Sequence, residues 1–259
     1  IHNNQIKIIE LNSFLNIPNL IEIHLKNNRL EKLNENFLIN IPNVRKVDLS
    51  MNSISNIVNN FFGNCRYLEY LDISNNKLYA LDRETFIGLE NSLKYLFIIH
   101  NELQLIKNYY FANLVRLEEL HLKENQISAI EINSFETLIN LKKLDLNNNM
   151  LFRINFNMFS NFKNLAYLYL NSNDEIKSYT IGKNYLESLL ELSMFKIYML
   201  ENYIFSYYSK LRILYLYSCS IEIIQTDSFY GLLNLNYLYL RDNRIKNLNN
   251  SLNTLINLY

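Results

Sequence analysis

Glycine and proline are scarce in this chain of 259 residues, which contains four glycines and two prolines. A fold built on many tight hairpins, or a loop that cradles phosphate, requires more glycine than this. Tryptophan is absent, and the two cysteines, Cys65 and Cys219, have no cysteine or histidine cluster beside them. Neither a disulfide framework nor a zinc site is indicated, and we expect neither metal nor cofactor.

An excess of charge of either sign is also lacking, because 25 basic residues balance 25 acidic ones. No overall field therefore favours nucleic acid or an anionic membrane surface. The longest apolar runs are only a few residues, so we expect no insertion of this segment into a membrane. We find no basic start followed by an apolar stretch that would indicate a signal peptide, and the repeat pattern is interrupted in mid-copy at both ends. We expect a piece of a longer protein, with terminal caps missing.

A repeat with a period of 24 or 25 residues, and one step of 22, runs through the chain. One copy reads Leu20-x-x-Ile23-x-Leu25-x-x-Asn28, and later copies keep the same spacing of apolar residues before an asparagine. The pattern predicts a single domain over 1–259 with about ten to eleven repeats. Its asparagine positions are Asn28, Asn52, Asn76, Asn101, Asn125, Asn149, Asn173, Cys219 and Asn243.

Each copy of this repeat predicts one short strand followed by a corner at the asparagine. Alternate leucines and isoleucines turn one face of the strand inward. An asparagine amide donates and accepts hydrogen bonds, so stacked copies form a ladder that pairs buried backbone groups at the corner. Cys219 is a weak substitute in that ladder. It lies about six repeats, or about 29 Å, from Cys65, which is too far for a disulfide, so we expect buried, unpaired thiols.

An aromatic residue follows each corner by about nine or ten positions, where the chain returns along the outside of the coil. Stacked rings at this place would form a continuous spine in the core. The positions are Phe14, Phe37, Phe61, Phe86, Phe111, Phe135, Phe159 and Phe229.

These motifs together resemble the "typical" class of leucine-rich repeats in animal ectodomains, such as Toll-like receptors, Slit, chaoptin and small proteoglycans. The resemblance covers essentially all of 1–259. It implies an α/β solenoid, a horseshoe with a concave parallel β-sheet and an irregular or short-helical convex side. It also implies an extracellular or cell-surface recognition module. A cytoplasmic location stays open as the alternative, because Asn249-Asn250-Ser251 is the one glycosylation sequon found.

The predicted concave face carries an excess of tyrosine. Three side chains per copy flank the core leucines, and eight of these thirty positions are tyrosine, where the overall frequency of 20 in 259 predicts about two. We interpret the C-terminal half as a recognition patch, because tyrosine combines large area with a hydroxyl. The alternatives are the ordinary strand preference of tyrosine and a bias of composition. The candidate residues are Tyr95, Phe97, Tyr167, Tyr169, Phe195, Ile213, Tyr215, Tyr217, Tyr237, Tyr239 and Arg241.

Two further features of the repeat attract notice. Glu22-Ile23-His24-Leu25-Lys26 recurs as Glu119-Leu120-His121-Leu122-Lys123, which suggests duplication of a four-repeat block, and we expect both histidines to be solvated. The stretch 173–210 is irregular, with Glu175 and Ser178 at core positions and Ile197 at an asparagine position. This irregularity is either sequence drift or a kink beside the tyrosine patch.

The function predicted from these observations is that of an interaction module whose ligand is a protein or peptide. A glycan or lipid ligand, an adhesive or structural role through homotypic association such as a homodimer, and an intracellular scaffold remain alternatives. We expect no enzyme, because no nucleophile with its base, paired acids, metal cluster or phosphate loop is present. The carboxylates of the face are expected to be solvated or to contact ligand. These are Glu22, Asp48, Asp72, Glu119, Asp145 and Glu191.

Overall fold

The computed structural model describes residues 1–259 except 11, 35–36, 153, 174–178 and 181–185, and for 179–180 only the backbone. Within this described part, ten three-residue strands form one parallel sheet in which each strand pairs with that of the next repeat. The strands are Glu22–His24, Lys46–Asp48, Tyr70–Asp72, Tyr95–Phe97, Glu119–His121, Lys143–Asp145, Tyr167–Tyr169, Glu191–Ser193, Ile213–Tyr215 and Tyr237–Tyr239.

The register of the sheet follows from the period of the sequence. Leu120 lies opposite Leu144, which lies opposite Leu168, so the central residue of each strand falls in one row along the coil. Leu120, Leu144 and Leu168 point inward and are fully buried, whereas Leu238 in the last strand is only partly buried. A slip by one residue would turn that apolar row outward, so burial of the row fixes the register.

The opposite side of the coil consists mainly of turns, as the prediction of an irregular or short-helical side anticipates. Short parallel pairs join neighbouring repeats there, and two 3₁₀ helices cover Phe156–Phe159 and Ser251–Thr254. No helix among the described residues is both long enough and apolar enough to cross a membrane. The short pairs are Leu105–Ile106 with Ala129–Ile130, Ile154–Asn155 with Tyr179–Thr180, and Met199–Leu200 with Ile223–Ile224.

Left-handed backbone turns the chain at nine of the ten sheet corners that the structure describes, although glycine is scarce. The residue immediately before the ladder position has a φ between 53° and 58°, and its amide joins neighbouring repeats, as when Met51 donates to the Ser74 carbonyl oxygen at 2.9 Å. Asparagine, aspartate and other residues tolerate this conformation as single residues. The corner residues are Asn27, Met51, Asn75, His100, Glu124, Asn148, Ser172, Ser218 and Asp242.

The turn side requires glycine at one position of the repeat, which is occupied by Gly88 and Gly231 in two copies. Gly88 has a φ of 94°, and a Cβ atom there would lie 2.6 Å from the Phe62 carbonyl oxygen of the preceding repeat. Gly231 repeats this arrangement against Ser206, with a φ of 93°. Glycine, which has no side chain, therefore allows the backbones of adjacent repeats to approach closely at these two turns.

Phenylalanine rings form the predicted spine on the turn side of the core. Phe86, Phe111 and Phe135 stack with centroids 6.3 and 6.2 Å apart. Two details differ from the expected positions, because Phe62 makes the contact with Phe86, at 6.3 Å, and Phe162 makes the contact with Phe135, at 6.1 Å. A second ring near the turn fills the same space, so sequence spacing alone does not choose between adjacent phenylalanines.

Asparagine side chains outside the core connect the repeats a second time, which the sequence reading missed. Asn43, Asn140 and Asn234 each donate from Nδ2 to the carbonyl oxygen of the residue 25 positions earlier, at 3.0, 2.7 and 2.8 Å. In these three repeats the bonds tie the turn to the preceding one on the side where few strands pair.

Candidate ligand-binding face

The asparagine corners hold the exposed face of the sheet in place. Asn125 is 6% exposed, and its Nδ2 donates to the carbonyl oxygens of Ile98 at 2.8 Å and Leu122 at 3.0 Å. Its Oδ1 accepts the amide of Leu103 at 3.2 Å. One side chain thus pairs three backbone groups from two repeats. The same arrangement recurs at Asn52, Asn76, Asn149 and Asn243.

Cys219 occupies the ladder position at the corner after the ninth of the ten sheet strands, with a sulfur in place of the amide. Its Sγ lies 3.5 Å from the Met194 carbonyl oxygen and 3.4 Å from that of Tyr217. Cys219 and Cys65 are both buried and unpaired. Burial raises the pKa of each thiol to about 12. Neither thiol is therefore a reactive nucleophile at neutral pH.

The exposed face of the ten-stranded sheet, called the sheet face below, is formed by residues on both sides of each buried central position. Because the strands are parallel and in register, these side chains lie in rows along the coil. Tyr167, Tyr169 and Ile213 are half-buried in these rows, and Tyr237 is 48% exposed. Each of these large side chains is thus exposed to solvent on one side and packs against the sheet on the other.

Three tyrosines and an arginine meet near the C-terminal end of the sheet face. The rings of Tyr215 and Tyr239 stack with centroids 5.0 Å apart and planes at 14°, and Tyr217 lies edge-on to Tyr215 at 6.2 Å. Together with Arg241 they line an open cavity of about 350 Å³. These four residues, called the tyrosine cluster, are brought together by two adjacent strands.

A hydrogen-bonded tyrosine adjoins this cluster. The Tyr169 hydroxyl donates to Oε2 of Glu191 at 2.7 Å, and the Lys143 ammonium lies 5.8 Å from the Tyr169 ring centre. Burial is the larger cause that raises the pKa of the Tyr169 hydroxyl, and the hydrogen bond to Glu191 is the second. The hydroxyl therefore stays protonated and holds the Glu191 carboxylate in a fixed position.

Tyr95 and Phe97 belong to a separate aromatic group, five to six strands away from the tyrosine cluster. The ring of Tyr70 lies 6.5 Å from Tyr95 and 5.0 Å from Phe97, and Phe97 stacks on His121 at 4.5 Å. Burial, together with nearby aspartates, raises the pKa of Tyr70 to about 12. The Lys46 ammonium lies over the Tyr70 ring at 4.7 Å, so this group is already engaged within the chain.

The family assignment rests on a sequence pattern that recurs over most of the chain. The leucine rich repeat pattern matches residues 42–103, 66–127, 115–174 and 209–258. The chain belongs to the leucine-rich-repeat family. A comparison of its sequence with curated proteins gave no significant match.

Solved structures share this leucine-rich-repeat fold. A leucine-rich-repeat protein of Leptospira interrogans matches with a TM-score of 0.82 and 25% identity, covering 93% of this chain and 59% of that chain. A chain of the Drosophila Toll–Spatzle complex matches with 0.75 and 22%, covering 90% and 32%. A chain of the TLR13–ssRNA13 complex matches with 0.64 and 23%, covering 93% and 35%. The chain thus spans about three fifths of the first structure and about a third of the other two.

Phe195 was predicted to lie on the sheet face, and this prediction is wrong. Its side chain is 0% exposed and packs in the core beside Met194. Two residues later the repeat has Ile197, 3% exposed, instead of asparagine. The equivalent residues Ser50 and Ser74 are also buried in repeats that keep the asparagine, so this position of the repeat often faces the core. Glu175 and Ser178, the other irregular positions, lie outside the described residues.

His121 also differs from expectation. It is 7% exposed, and its Nε2 lies 2.9 Å from Oε2 of Glu119. His24 makes the matching contact with Glu22 at 2.8 Å, but its side chain is 39% exposed, as predicted for a solvated histidine. The two histidines share a local sequence but not an environment.

Three aspartates of the sheet face support the backbone rather than remaining free for solvent or ligand. Asp48, Asp72 and Asp145 each accept, at 2.9–3.0 Å, the amide of the residue two positions later. Burial raises the pKa of Asp72 and Asp145 above the ordinary value despite these bonds. The sequence held a signal for this role, because an aspartate side chain at the end of a strand often accepts the backbone amide two residues later in an Asx turn.

The sequon at Asn249 lies in a left-handed turn with a φ of 49°. The Asn249 side chain is solvent-facing, yet its Nδ2 donates to the Ile224 carbonyl oxygen at 3.0 Å, and Ser251 is buried. Among the residues that the structure describes, no group of three or more histidine, cysteine, aspartate or glutamate side chains could hold a metal ion.

Proposed function

We propose that this chain is an interaction module that binds a protein or peptide ligand on the sheet face, with the tyrosine cluster at the centre of the contact. The observation that carries the proposal is the stack of Tyr215 on Tyr239 beside an open cavity. The rings are already ordered by the sheet, so binding costs them little conformational entropy. Tyr167, Tyr169, Ile213 and Tyr237 extend the same surface toward the neighbouring strands.

The leucine-rich-repeat fold supports this proposal over catalysis. Solved structures of similar fold occur in a complex with Spatzle and in a complex with single-stranded RNA. We favour a protein ligand over RNA for this chain because its formal net charge is zero, whereas phosphate contacts draw on an excess of basic residues. We also propose that the module acts outside the cell or at its surface, as leucine-rich repeats of the resembling class do.

Selection of random peptides displayed on phage against the immobilised chain tests the proposal. The selected peptides should lose binding to the double variant Tyr215→Ser, Tyr239→Ser, because the contact area of both rings is removed. The melting temperature should change little, since Tyr239 is 45% exposed. A binding surface elsewhere is indicated if the peptides bind this variant as they bind the unaltered chain.

The matched control uses a tyrosine pair on the turn side. Tyr203 and Tyr230 are each 52% exposed and their rings contact edge-on at 5.3 Å. The double variant Tyr203→Ser, Tyr230→Ser should bind the selected peptides as the unaltered chain does. Measuring mass against concentration without peptide separates the alternative of homotypic association, which would show a dimer whose formation the sheet-face variant prevents.

A further inference from the structure

Arg241 supplies a positive charge at an otherwise aromatic cavity. Its side chain is 81% exposed and lies with Tyr215, Tyr217 and Tyr239 around the cavity of about 350 Å³. An exposed guanidinium with a planar fork of donors matches the geometry of a carboxylate. The aromatic rings beside it offer apolar area, which a bare anion would not use.

The acidic groups near this cavity are already engaged. Oε2 of Glu191 accepts the Tyr169 hydroxyl at 2.7 Å. Oδ2 of Asp242 accepts the Arg241 Nε at 2.9 Å, and the Asp242 side chain is 58% exposed. An ion pair this exposed contributes little stability, so an incoming carboxylate can compete with Asp242 for the guanidinium.

We propose that the tyrosine cluster recognises an acidic side chain of a protein partner, with its carboxylate on Arg241 and an adjoining apolar side chain on the Tyr215–Tyr239 stack. This inference rests on the proposed function and names the chemistry of its ligand. A single arginine suits a carboxylate better than a nucleic acid backbone, for which several basic groups along a groove are typical. Asp242 acts as an internal competitor that weakens binding.

Asparagine can replace Asp242, the competitor, without disturbing the corner, because other repeats have asparagine at this position. Asp242 has left-handed backbone, with a φ of 58°. Other repeats carry asparagine at the same position and with the same conformation, at Asn27, Asn75 and Asn148. Asp242→Asn therefore keeps a side chain that the corner accepts and frees the Arg241 guanidinium.

Tryptophan fluorescence gives a direct measurement, because the chain contains no tryptophan. The probes are blocked pentapeptides with a central Glu-Trp, Gln-Trp or Lys-Trp pair, titrated with the protein. We expect the Glu-Trp peptide to bind about tenfold more tightly than the Gln-Trp peptide, as charge-assisted hydrogen bonds outweigh neutral ones. The Lys-Trp peptide should bind most weakly.

Single substitutions test which residues cause the preference for the Glu-Trp peptide over the Gln-Trp peptide. Arg241→Gln should abolish the difference between the Glu-Trp and Gln-Trp peptides, and Asp242→Asn should strengthen the Glu-Trp peptide by about threefold. Arg244→Gln is the matched control, since Arg244 is 73% exposed on its side chain and pairs with Glu222 at 3.8 Å. It should leave all three affinities unchanged.

The outcomes separate this inference from the proposed function. If the Glu-Trp and Gln-Trp peptides bind equally but both need Tyr215 and Tyr239, recognition of an acidic group is wrong while the binding face stands. If the preference survives Arg241→Gln, or no peptide binds, the inference is overturned. If binding persists in Tyr215→Ser, Tyr239→Ser, the proposed face fails as well.

Discussion

The imidazole of His121 lies flat against the ring of Phe97, with centroids 4.5 Å apart and planes at 14°. Phe97 comes from the preceding strand of the sheet, so the contact depends on stacking of repeats rather than on local sequence. The equivalent His24 lies in the first strand of the described sheet and pairs only with the following strand, beside Asp48. Identical Glu-x-His-x-Lys segments thus take different environments because their neighbours differ.

The two histidines provide a matched pair of variants. His121→Ala removes a buried ring and its contact with Glu119, so we expect a loss of about 1–3 kcal/mol in the free energy of unfolding. His24→Ala, in the more exposed copy, should cost less than about 0.5 kcal/mol. Urea denaturation measures both. Equal losses would mean that the stack on Phe97 contributes nothing beyond the pair with glutamate.

The sequence predicted the fold well because one rule recurs in every repeat. Leu120, Leu144 and Leu168 lie where alternation places them, and Asn125 makes the corner bonds that its amide chemistry suggests. The rule fails where a residue's surroundings come from a neighbouring repeat. The period places Phe97 beside His121 in the next repeat, but it does not show that the two rings stack and that the imidazole is buried.

The candidate site was predictable only in part, for two physical reasons. The grouping of Tyr215 with Tyr239 follows from register, since equal positions in adjacent strands must lie side by side. Phe195 was placed wrongly, because its position in the repeat is buried in some copies, such as at Ser50 and Ser74, and exposed in others, as at Arg241. The competition between Asp242 and a ligand at Arg241 was also missed, since it depends on a turn geometry that spacing does not reveal.

The burial of Phe195 predicts a large loss of stability on truncation. Phe195→Ala should lower the free energy of unfolding by about 3–5 kcal/mol, because the ring is fully removed from water and leaves a cavity. Tyr237→Ala is the comparison, since that ring is 48% exposed, and should cost much less. Guanidinium denaturation of both variants gives the values. If Phe195→Ala unfolds with an unchanged free energy, the Phe195 side chain lies on the sheet face rather than in the core.

The asparagine ladder predicts a cost for removing an amide. Asn125→Ala leaves the Ile98 and Leu122 carbonyl oxygens and the Leu103 amide without their side-chain partner. We expect a loss of about 1–3 kcal/mol, the penalty for unpaired buried polar groups. Asn59→Ala, on an exposed turn, serves as the control and should stay within about 0.5 kcal/mol. Similar losses in the two variants would show that the corner bonds add no stability.

The buried thiols predict how stability responds to alkaline pH. Burial raises the pKa of Cys65 and Cys219 from the ordinary value of 9.0 to about 12, so the folded chain keeps protons that the unfolded chain releases. The unfolded state therefore gains from ionisation first, and stability falls as pH rises from about 9 toward about 12. Below about pH 9 these thiols have no effect.

Thiol reactivity and a double variant test this together. At about pH 8 a disulfide reagent should leave both native thiols unmodified and should react with both in denaturant. Between about pH 9 and 10, the unaltered chain should lose more stability than Cys65→Ala, Cys219→Ala. This variant still contains tyrosines whose pKa burial raises, including Tyr70 and Tyr208, so any remaining loss belongs to them. Equal pH dependence would mean that the cysteines are solvated, because only a desolvated thiol delays its ionisation in the folded state.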